Sequence, residues 1–122
     1  MRRRILVIED EPAMRLIVEE YLDLLGYEAV GAPDGGTALR LVAGSPFSLV
    51  FVDLNLPDMS GLEVMRRLRG EGHTTPFVVM SGNLKESYAR EAHTLGVAAV
   101  LEKPVDLDDL ERAVTTFAGD AF

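Results

Sequence analysis

Residues 5–12 read Ile5-Leu6-Val7-Ile8-Glu9-Asp10-Glu11-Pro12, a short hydrophobic run that passes directly into acidic residues and a proline. The run predicts a buried strand, and the proline suits the first turn of a helix. Three later runs have the same form and end at Asp53, at Ser81-Gly82 and at Glu102-Lys103-Pro104. Short apolar runs that alternate with helical stretches are typical of parallel strands buried on both faces.

This alternation predicts a single doubly wound α/β domain of five βα units. We expect strands near residues 4–9, 27–31, 48–53, 76–80 and 97–101. We expect helices near residues 12–25, 35–43, 60–70, 84–95 and 106–118. A flavodoxin-like parallel sheet with strand order 2-1-3-4-5 would carry helices on both faces and place the third strand centrally.

Composition narrows the possible classes of function. The 122 residues suffice for one domain, which we expect to span residues 1–122 without an output domain. The absence of cysteine excludes disulfides and thiolate metal sites. The net charge of -8 argues against direct binding to nucleic acid. Apolar runs are too short for a signal peptide or membrane insertion, so we expect a cytoplasmic protein.

The polar residues at the strand ends predict one shared site, because parallel sheets bind ligands beyond the carboxyl ends of their strands. Glu9 and Asp10 follow the first run and Asp53 ends the third. Three carboxylates repel one another unless a cation relieves them, and Mg²⁺ takes carboxylate, water and phosphate oxygens. Asp53 could be an ion-pair partner, a metal ligand, or a nucleophile that forms an aspartyl phosphate.

Two further strand ends add a hydroxyl and an amine to this site. Lys103 could neutralise phosphoryl oxygens or form a salt bridge with Asp53, and the two roles can alternate. Ser81 could donate to a phosphoryl oxygen or be a simple loop hydroxyl, and the small Gly82 leaves room for the group to enter.

Four segments together resemble the receiver domain of two-component response regulators, over essentially the whole chain. The resemblance implies that Asp53 accepts phosphate from a phosphohistidine of a sensor histidine kinase or a histidine phosphotransfer protein. It also implies that Ser81 and Lys103 take the phosphoryl oxygens. The matching segments are Val7-Ile8-Glu9-Asp10-Glu11-Pro12, Asp53-Leu54-Asn55-Leu56-Pro57-Asp58-Met59-Ser60-Gly61, Met80-Ser81-Gly82 and Lys103-Pro104.

The same resemblance implies a magnesium site and a signalling role. Mg²⁺ would be bound by Asp10, Asp53 and the backbone carbonyl of Asn55, with Glu9 assisting, and the Lys103-Pro104 peptide bond would be cis. Phosphorylation would shift the face formed by the fourth helix, fifth strand and fifth helix between two states, with a homodimer as one possible product. Such a domain catalyses only its own phosphorylation and dephosphorylation, so we do not class it as an enzyme.

One departure from the family pattern affects the expected switching mechanism. Val100 stands where an aromatic switch residue is usual, three residues before the lysine. We therefore expect movement of Ser81 to be relayed through the fourth helix by Tyr88. Ser60 also replaces a frequent acidic residue, which we treat as tolerated variation. Asn55 and Asn83 flank the site and are expected to influence the lifetime of the aspartyl phosphate.

The helices should bury apolar stripes at helical spacing. The first helix should bury Met14, Ile17, Val18, Tyr21 and Leu25, with Leu16 exposed on the opposite face. A lone exposed leucine usually has no function, and we favour that interpretation, although a phosphodonor could dock there beside the acidic cluster. The last helix should bury Leu107, Leu110, Val114 and Phe117. The fourth has a thin apolar face of Leu84, Tyr88, Ala92 and Leu95. His73 and His93 lack metal-ligand spacing and should be exposed on the surface.

Three other readings use similar residues. A haloacid-dehalogenase-like phosphatase would need a second Asp where Asn55 stands, and also a cap domain. A flavodoxin-like electron carrier would place the FMN phosphate against Glu9-Asp10-Glu11, which would repel it. A pseudo-receiver, which docks partners without being phosphorylated, is opposed by the complete set of site residues, although Val100 leaves room for unusual output.

Overall fold

The computed structural model describes residues 2–82 and 86–120, without the side chains of residues 86 and 87. Within these ranges the chain forms five strands and five helices in strict alternation. The strands are β1 (Arg4–Ile8), β2 (Glu28–Ala32), β3 (Leu49–Asp53), β4 (Phe77–Ser81) and β5 (Ala99–Glu102). The helices are α1 (Pro12–Leu24), α2 (Gly35–Gly44), α3 (Gly61–Gly70), α4 (Glu86–Thr94) and α5 (Leu107–Phe117). The predicted elements are confirmed, while Asn83 and Leu84 lie outside the described residues.

The strands form one parallel sheet in the order β2-β1-β3-β4-β5, as predicted. All carboxyl ends therefore meet at the same edge. Every residue of β3 and β4 is buried, because helices cover these central strands on both sides. Residues of β5 alternate between half-buried and exposed, since this strand forms an outer edge of the sheet.

Two apolar clusters, one on each face of the sheet, form the core. Val18 and Leu22 of α1 pack with Leu110 and Val114 of α5 on one face. Residues of α2, α3 and α4 pack together on the other face. Helices on both faces confirm the doubly wound α/β arrangement.

Several helices begin beside the carboxyl edge with a side chain that caps their first amides. The Glu11 carboxylate accepts hydrogen bonds from the backbone amides of Ala13 and Met14 at the start of α1. Asp34 caps α2, and Ser60 caps α3 through the Glu63 amide. Such caps satisfy amides that have no partner within the helix, so the helix starts are fixed next to the strand ends.

Two predictions about buried helix residues were wrong. Ile17 is 52% exposed, and Leu22 is fully buried in the line that also contains Val18. Successive helical residues differ by about 100° in direction, so the residue before Val18 points away when Val18 faces the sheet. Leu107, at the first position of α5, is also exposed. Leu16 is exposed as predicted, but it is not alone, because Ile17 and Leu24 on the same helix are also exposed.

Candidate functional site

The strand register brings the predicted site residues to one edge of the sheet. Glu9 directly follows β1, Asp53 and Ser81 are the last residues of β3 and β4, and Lys103 directly follows β5. Asp53 is aligned with Met80 on β4, one residue before Ser81, and Ser81 is aligned with Glu102 on β5. The backbone alone therefore places these positions together.

Three carboxylates converge at this edge. One ligand oxygen each from Glu9, Asp10 and Asp53 lies within 4.8 Å of the others. Glu9 is fully buried and Asp53 is 4% exposed, whereas Asp10 is exposed. The cluster therefore has a buried floor and one side open to solvent. We name Glu9, Asp10, Asp53 and Lys103 the acidic edge.

The Lys103 ammonium is the cation of the acidic edge. It donates a hydrogen bond to Glu9 Oε1 and a second one, of 2.9 Å, to Asp53 Oδ2. Burial raises the pKa of Glu9 to about 7, against the opposing effect of its hydrogen bond with Lys103. Burial would lower the pKa of Lys103, but its hydrogen bonds to Glu9 and Asp53 outweigh this and raise it. The ammonium therefore stays charged at neutral pH.

Backbone groups hold the remaining oxygens. The amide of Asn55 donates to Asp53 Oδ1 at 3.1 Å, so each oxygen of this carboxylate has its own donor. The amide of Glu11 donates to Glu9 Oε2 at 3.3 Å. Arg15 donates to the backbone carbonyl of Glu9 at 2.8 Å, a contact that sequence reasoning missed. One indication of this contact was present in the sequence, a basic residue about one turn into the helix that follows the acidic end of the first strand.

The loop after Asp53 is closed at its base. The amide of Gly61 donates to the carbonyl of Leu54 at 2.9 Å, and Asn55 forms an isolated antiparallel bridge with Ser60. A Cβ on Gly61 would lie 2.4 Å from the backbone oxygen of Asp53. Only glycine allows this approach, so the loop returns directly against the residue that ends β3.

Ser81 and Gly82 lie between the ends of β3 and β5. Ser81 is buried, and its carbonyl accepts a hydrogen bond of 2.9 Å from the amide of Lys103. Gly82 is exposed, and among the described residues a Cβ there would meet only Cβ of Lys103, at 4.0 Å. As far as these residues go, the space beside Gly82 agrees with the predicted room for an incoming group. The peptide bond between Lys103 and Pro104 is cis, as predicted.

Tyr88 is the predicted relay residue, and Val100 stands at the position where an aromatic switch residue is usual. Both side chains are 40% exposed. Tyr88 lines a cavity of about 40 Å³ together with Leu54, Asn55, Ser60 and Leu62, so it faces the loop that follows Asp53.

The predicted surface exposure of the two histidines is confirmed for one of them. His93 is exposed, whereas His73 is half-buried with Nε2 3.7 Å from Glu71.

The chemistry of the donors fits a hard divalent cation. The acidic edge offers carboxylate oxygens, which Mg²⁺ and Ca²⁺ prefer, and Asn55 adds a backbone carbonyl on the adjoining loop. The open side at Asp10 leaves room for water or a phosphoryl oxygen, as Mg²⁺ usually requires.

Comparison with known proteins identifies the family. Residues 5–115 match the response regulator receiver domain. The chain belongs to this family and is a receiver domain of two-component systems. Receiver domains are signalling domains rather than enzymes in the usual sense.

Individual relatives agree with this assignment. A response regulator receiver protein from Pseudomonas putida has a crystal structure with a TM-score of 0.88 and 33% sequence identity, covering 95% of this chain and 98% of that one. The Regulator of RpoS of Escherichia coli is 36% identical over 113 residues, which are 92% of this chain and 34% of that protein. The transcriptional regulatory protein CrdR of Helicobacter pylori is 31% identical over 121 residues, 98% of this chain and 57% of that protein.

The chain thus spans little more than half of CrdR and about a third of the Regulator of RpoS. It also matches 9% of the Escherichia coli sensor protein EvgS, at 34% identity over 107 residues. Among the helices in the described ranges, none combines the length and apolar character needed to cross a membrane.

Proposed function

We propose that residues 1–122 form a cytoplasmic receiver domain in which Asp53 accepts a phosphoryl group from a phosphohistidine, with Mg²⁺ required. The main support is the environment of Asp53. The residue is 4% exposed, and its carboxylate lies beside two further carboxylates, with one oxygen held by the Asn55 amide and the other by Lys103. A nucleophile held in this way needs little reorganisation before it attacks.

The proposed reaction exchanges one bond to phosphorus for another. An oxygen of Asp53 attacks the phosphorus atom, the P–N bond to the donor imidazole breaks, and a P–O bond forms. Asp10, Asp53 and the backbone carbonyl of Asn55 would hold Mg²⁺, with Glu9 assisting. When bound, the metal supplies positive charge for the phosphoryl oxygens.

Lys103 and Ser81 would receive the phosphoryl oxygens. The Lys103 ammonium already contacts Asp53, so a small displacement would transfer its hydrogen bond to the new group. The Ser81 hydroxyl is on the neighbouring strand end, next to the space beside Gly82. Hydrolysis by water would later remove the phosphoryl group, with the exposed Asn55 influencing its lifetime.

The phosphoryl donor would be a sensor histidine kinase or a histidine phosphotransfer protein. Leu16 and Ile17 are exposed apolar residues in the first half of α1, the helix that begins beside Asp10. Docking of the donor on this part of α1 would bring its phosphohistidine to the open side of the acidic edge. The match to the sensor protein EvgS is consistent with a sensor protein as partner.

Phosphorylation would shift the α4–β5–α5 face, formed by those three elements, between two states. An aromatic ring at position 100 is not available for this switch, since the residue there is Val100. The contact of Tyr88 with the cavity beside Leu54 and Asn55 supports a relay from the loop after Asp53 into α4. If Tyr88 had the same NMR environment with and without phosphate, the relay would be wrong. Homodimer formation through α5 on phosphorylation would be a further output.

The test of the function is intact-protein mass after incubation with a small-molecule phosphodonor, with and without Mg²⁺. We expect a single phosphoryl adduct that disappears without Mg²⁺ and in Asp53→Asn. Asp108→Asn, an exposed acid on α5, is the matched control and should be modified like the wild type.

Other results would separate the alternatives. If Mg²⁺ binds but no adduct forms, the incubation would be repeated with a phosphohistidine protein in place of the small-molecule donor. Neither binding nor an adduct would contradict the proposal and favour the pseudo-receiver. Multiple turnover of a phosphorylated metabolite would instead favour a phosphatase with Asp53 as nucleophile.

A further inference from the structure

The loop between β3 and α3 is attached to a second helix through an acidic side chain that the proposed chemistry does not use. We propose that Asp58 is a positioning residue, which fastens this loop to the N-terminus of α2 and thereby places the backbone carbonyl of Asn55. The inference rests on the proposed magnesium site, because that carbonyl is one of its ligands.

The Asp58 carboxylate binds the start of α2 with both oxygens. Oδ1 accepts from the amide of Gly35 and Oδ2 from the amide of Gly36, each at 2.9 Å. The capping residue of α2 itself, Asp34, accepts from the amide of Thr37 at 2.7 Å. The first amides of a helix have no partners within the helix. Asp58 therefore takes the two amides that Asp34 leaves.

Packing reinforces these hydrogen bonds. Gly35 is buried, and a Cβ at this position would lie 2.6 Å from Cγ of Met59 and 2.9 Å from Val64. The absence of a side chain at Gly35 therefore lets the Asp58-Met59 segment lie directly on the first turn of α2. The loop and the start of α2 therefore have complementary shapes, because Met59 and Val64 fill the space that a side chain at Gly35 would need.

The charges at the contact are also matched. The N-terminus of a helix carries partial positive charge, which favours a carboxylate. Hydrogen bonds from the amides of Gly35 and Gly36 lower the pKa of Asp58 below its ordinary value. The side chain is consequently an anion at neutral pH and keeps both acceptor oxygens available.

The peptide that follows Asn55 lies between two fixed points of the loop. At the base, the Gly61 amide donates to Leu54 and the Asn55–Ser60 bridge closes the loop. At the tip, Asp58 is held on α2. With both points fixed, the peptide after Asn55 has little freedom to rotate. Release of the tip would allow its carbonyl to turn away from the acidic edge.

The experiment compares Asp58→Ala with Asp34→Ala. Both substitutions remove a cap from the same helix end, but only Asp58 comes from the loop after Asp53. We expect Asp58→Ala to weaken Mg²⁺ binding about tenfold in titration calorimetry, as removal of outer partners of a metal site commonly does. Asp34→Ala should leave Mg²⁺ affinity nearly unchanged. Asp58→Asn, which retains one acceptor oxygen, should lie between the wild type and Asp58→Ala.

A second measurement separates this inference from the proposed function. In metal-free protein, hydrogen exchange at the amides of Asn55 and Gly61 should accelerate in Asp58→Ala and not in Asp34→Ala. Equal exchange in the two variants, or an equal loss of Mg²⁺ affinity, would overturn the role of Asp58. A wild-type protein that binds no Mg²⁺ would contradict the proposed function, whereas the exchange data would still decide whether Asp58 holds the loop.

Discussion

The acidic edge and the α4–β5–α5 face lie side by side, yet their side chains are held very differently. Glu9 and Asp53 are buried, and each carboxylate accepts hydrogen bonds from two donors. Val100 and Tyr88 are each 40% exposed, and Val100 lies on an outer strand of the sheet. The first region is fixed at the ends of buried parallel strands, and the second lies at an outer strand that is packed on fewer sides.

This difference indicates that phosphoryl transfer and conformational change can be assigned to separate regions of a receiver domain. Phosphoryl transfer benefits from groups whose positions are set in advance. A change of state on the neighbouring face requires side chains that can move at small free-energy cost. The two regions meet at β5, where Lys103 follows the strand that carries Val100. Substitutions in the two regions should therefore change the free energy of unfolding by different amounts.

The largest effect is expected for Lys103→Met. At mildly alkaline pH, the metal-free variant should lose about 4 kcal/mol in the free energy of unfolding, because Glu9 and Asp53 remain buried without their cation. Arg112→Met is the matched control, since Arg112 pairs with Asp109 on the surface of α5 and should cost less than about 1 kcal/mol. Urea unfolding measures both. Equal losses in the two variants would mean that the acidic edge is not the more tightly coupled region.

The pH dependence of stability should come next in size. The pKa of Glu9 is raised to about 7 in the folded protein, so folding favours its protonated form. The contribution of Glu9 to the free energy of unfolding is fully present below pH 4.5 and is lost as pH rises through 7. In metal-free protein this loss amounts to up to about 3 kcal/mol. Unfolding titrations across this range should show the decline in the wild type. Glu9→Gln should flatten it, and an equally steep decline in that variant would exclude Glu9 as the cause.

The smallest effects compare two valines that lie opposite each other on adjacent strands. Val79 of β4 is aligned with Val100 of β5, but Val79 is fully buried. Val79→Ala should reduce the free energy of unfolding by about 2 kcal/mol, and Val100→Ala by less than about 1 kcal/mol. Thermal unfolding of both variants checks this. A larger loss at Val100 would show that the face is packed as firmly as the centre of the sheet.

Much of the fold was predictable from local patterns. Apolar runs such as Leu49–Val52 mark strands, and the acids or lysine that follow them mark the strand ends. Parallel topology then requires these ends to share an edge, so the meeting of Glu9, Asp10, Asp53 and Lys103 followed from the order of elements. The cis peptide bond and the expected roles of the site residues were predicted from the resemblance of the motifs to those of receiver domains.

Other features depended on contacts between distant segments. Periodicity placed Ile17 in the core, but the line along which α1 touches the sheet selects Val18 and Leu22. The pairing of Asp58 with Gly35 and Gly36 joins positions more than twenty residues apart, and each residue alone looks like an ordinary loop residue.

The amino-acid sequence by itself determined the element order, the sheet, the chemical groups at its carboxyl edge and the family. The tertiary structure decided which of these groups are buried, which donors hold them, and how the loop after Asp53 is attached. Burial and hydrogen bonding set the pKa of Glu9 and the orientation of Asp53. These quantities depend on the surroundings of a side chain in three dimensions, and neighbours along the chain supply only part of those surroundings.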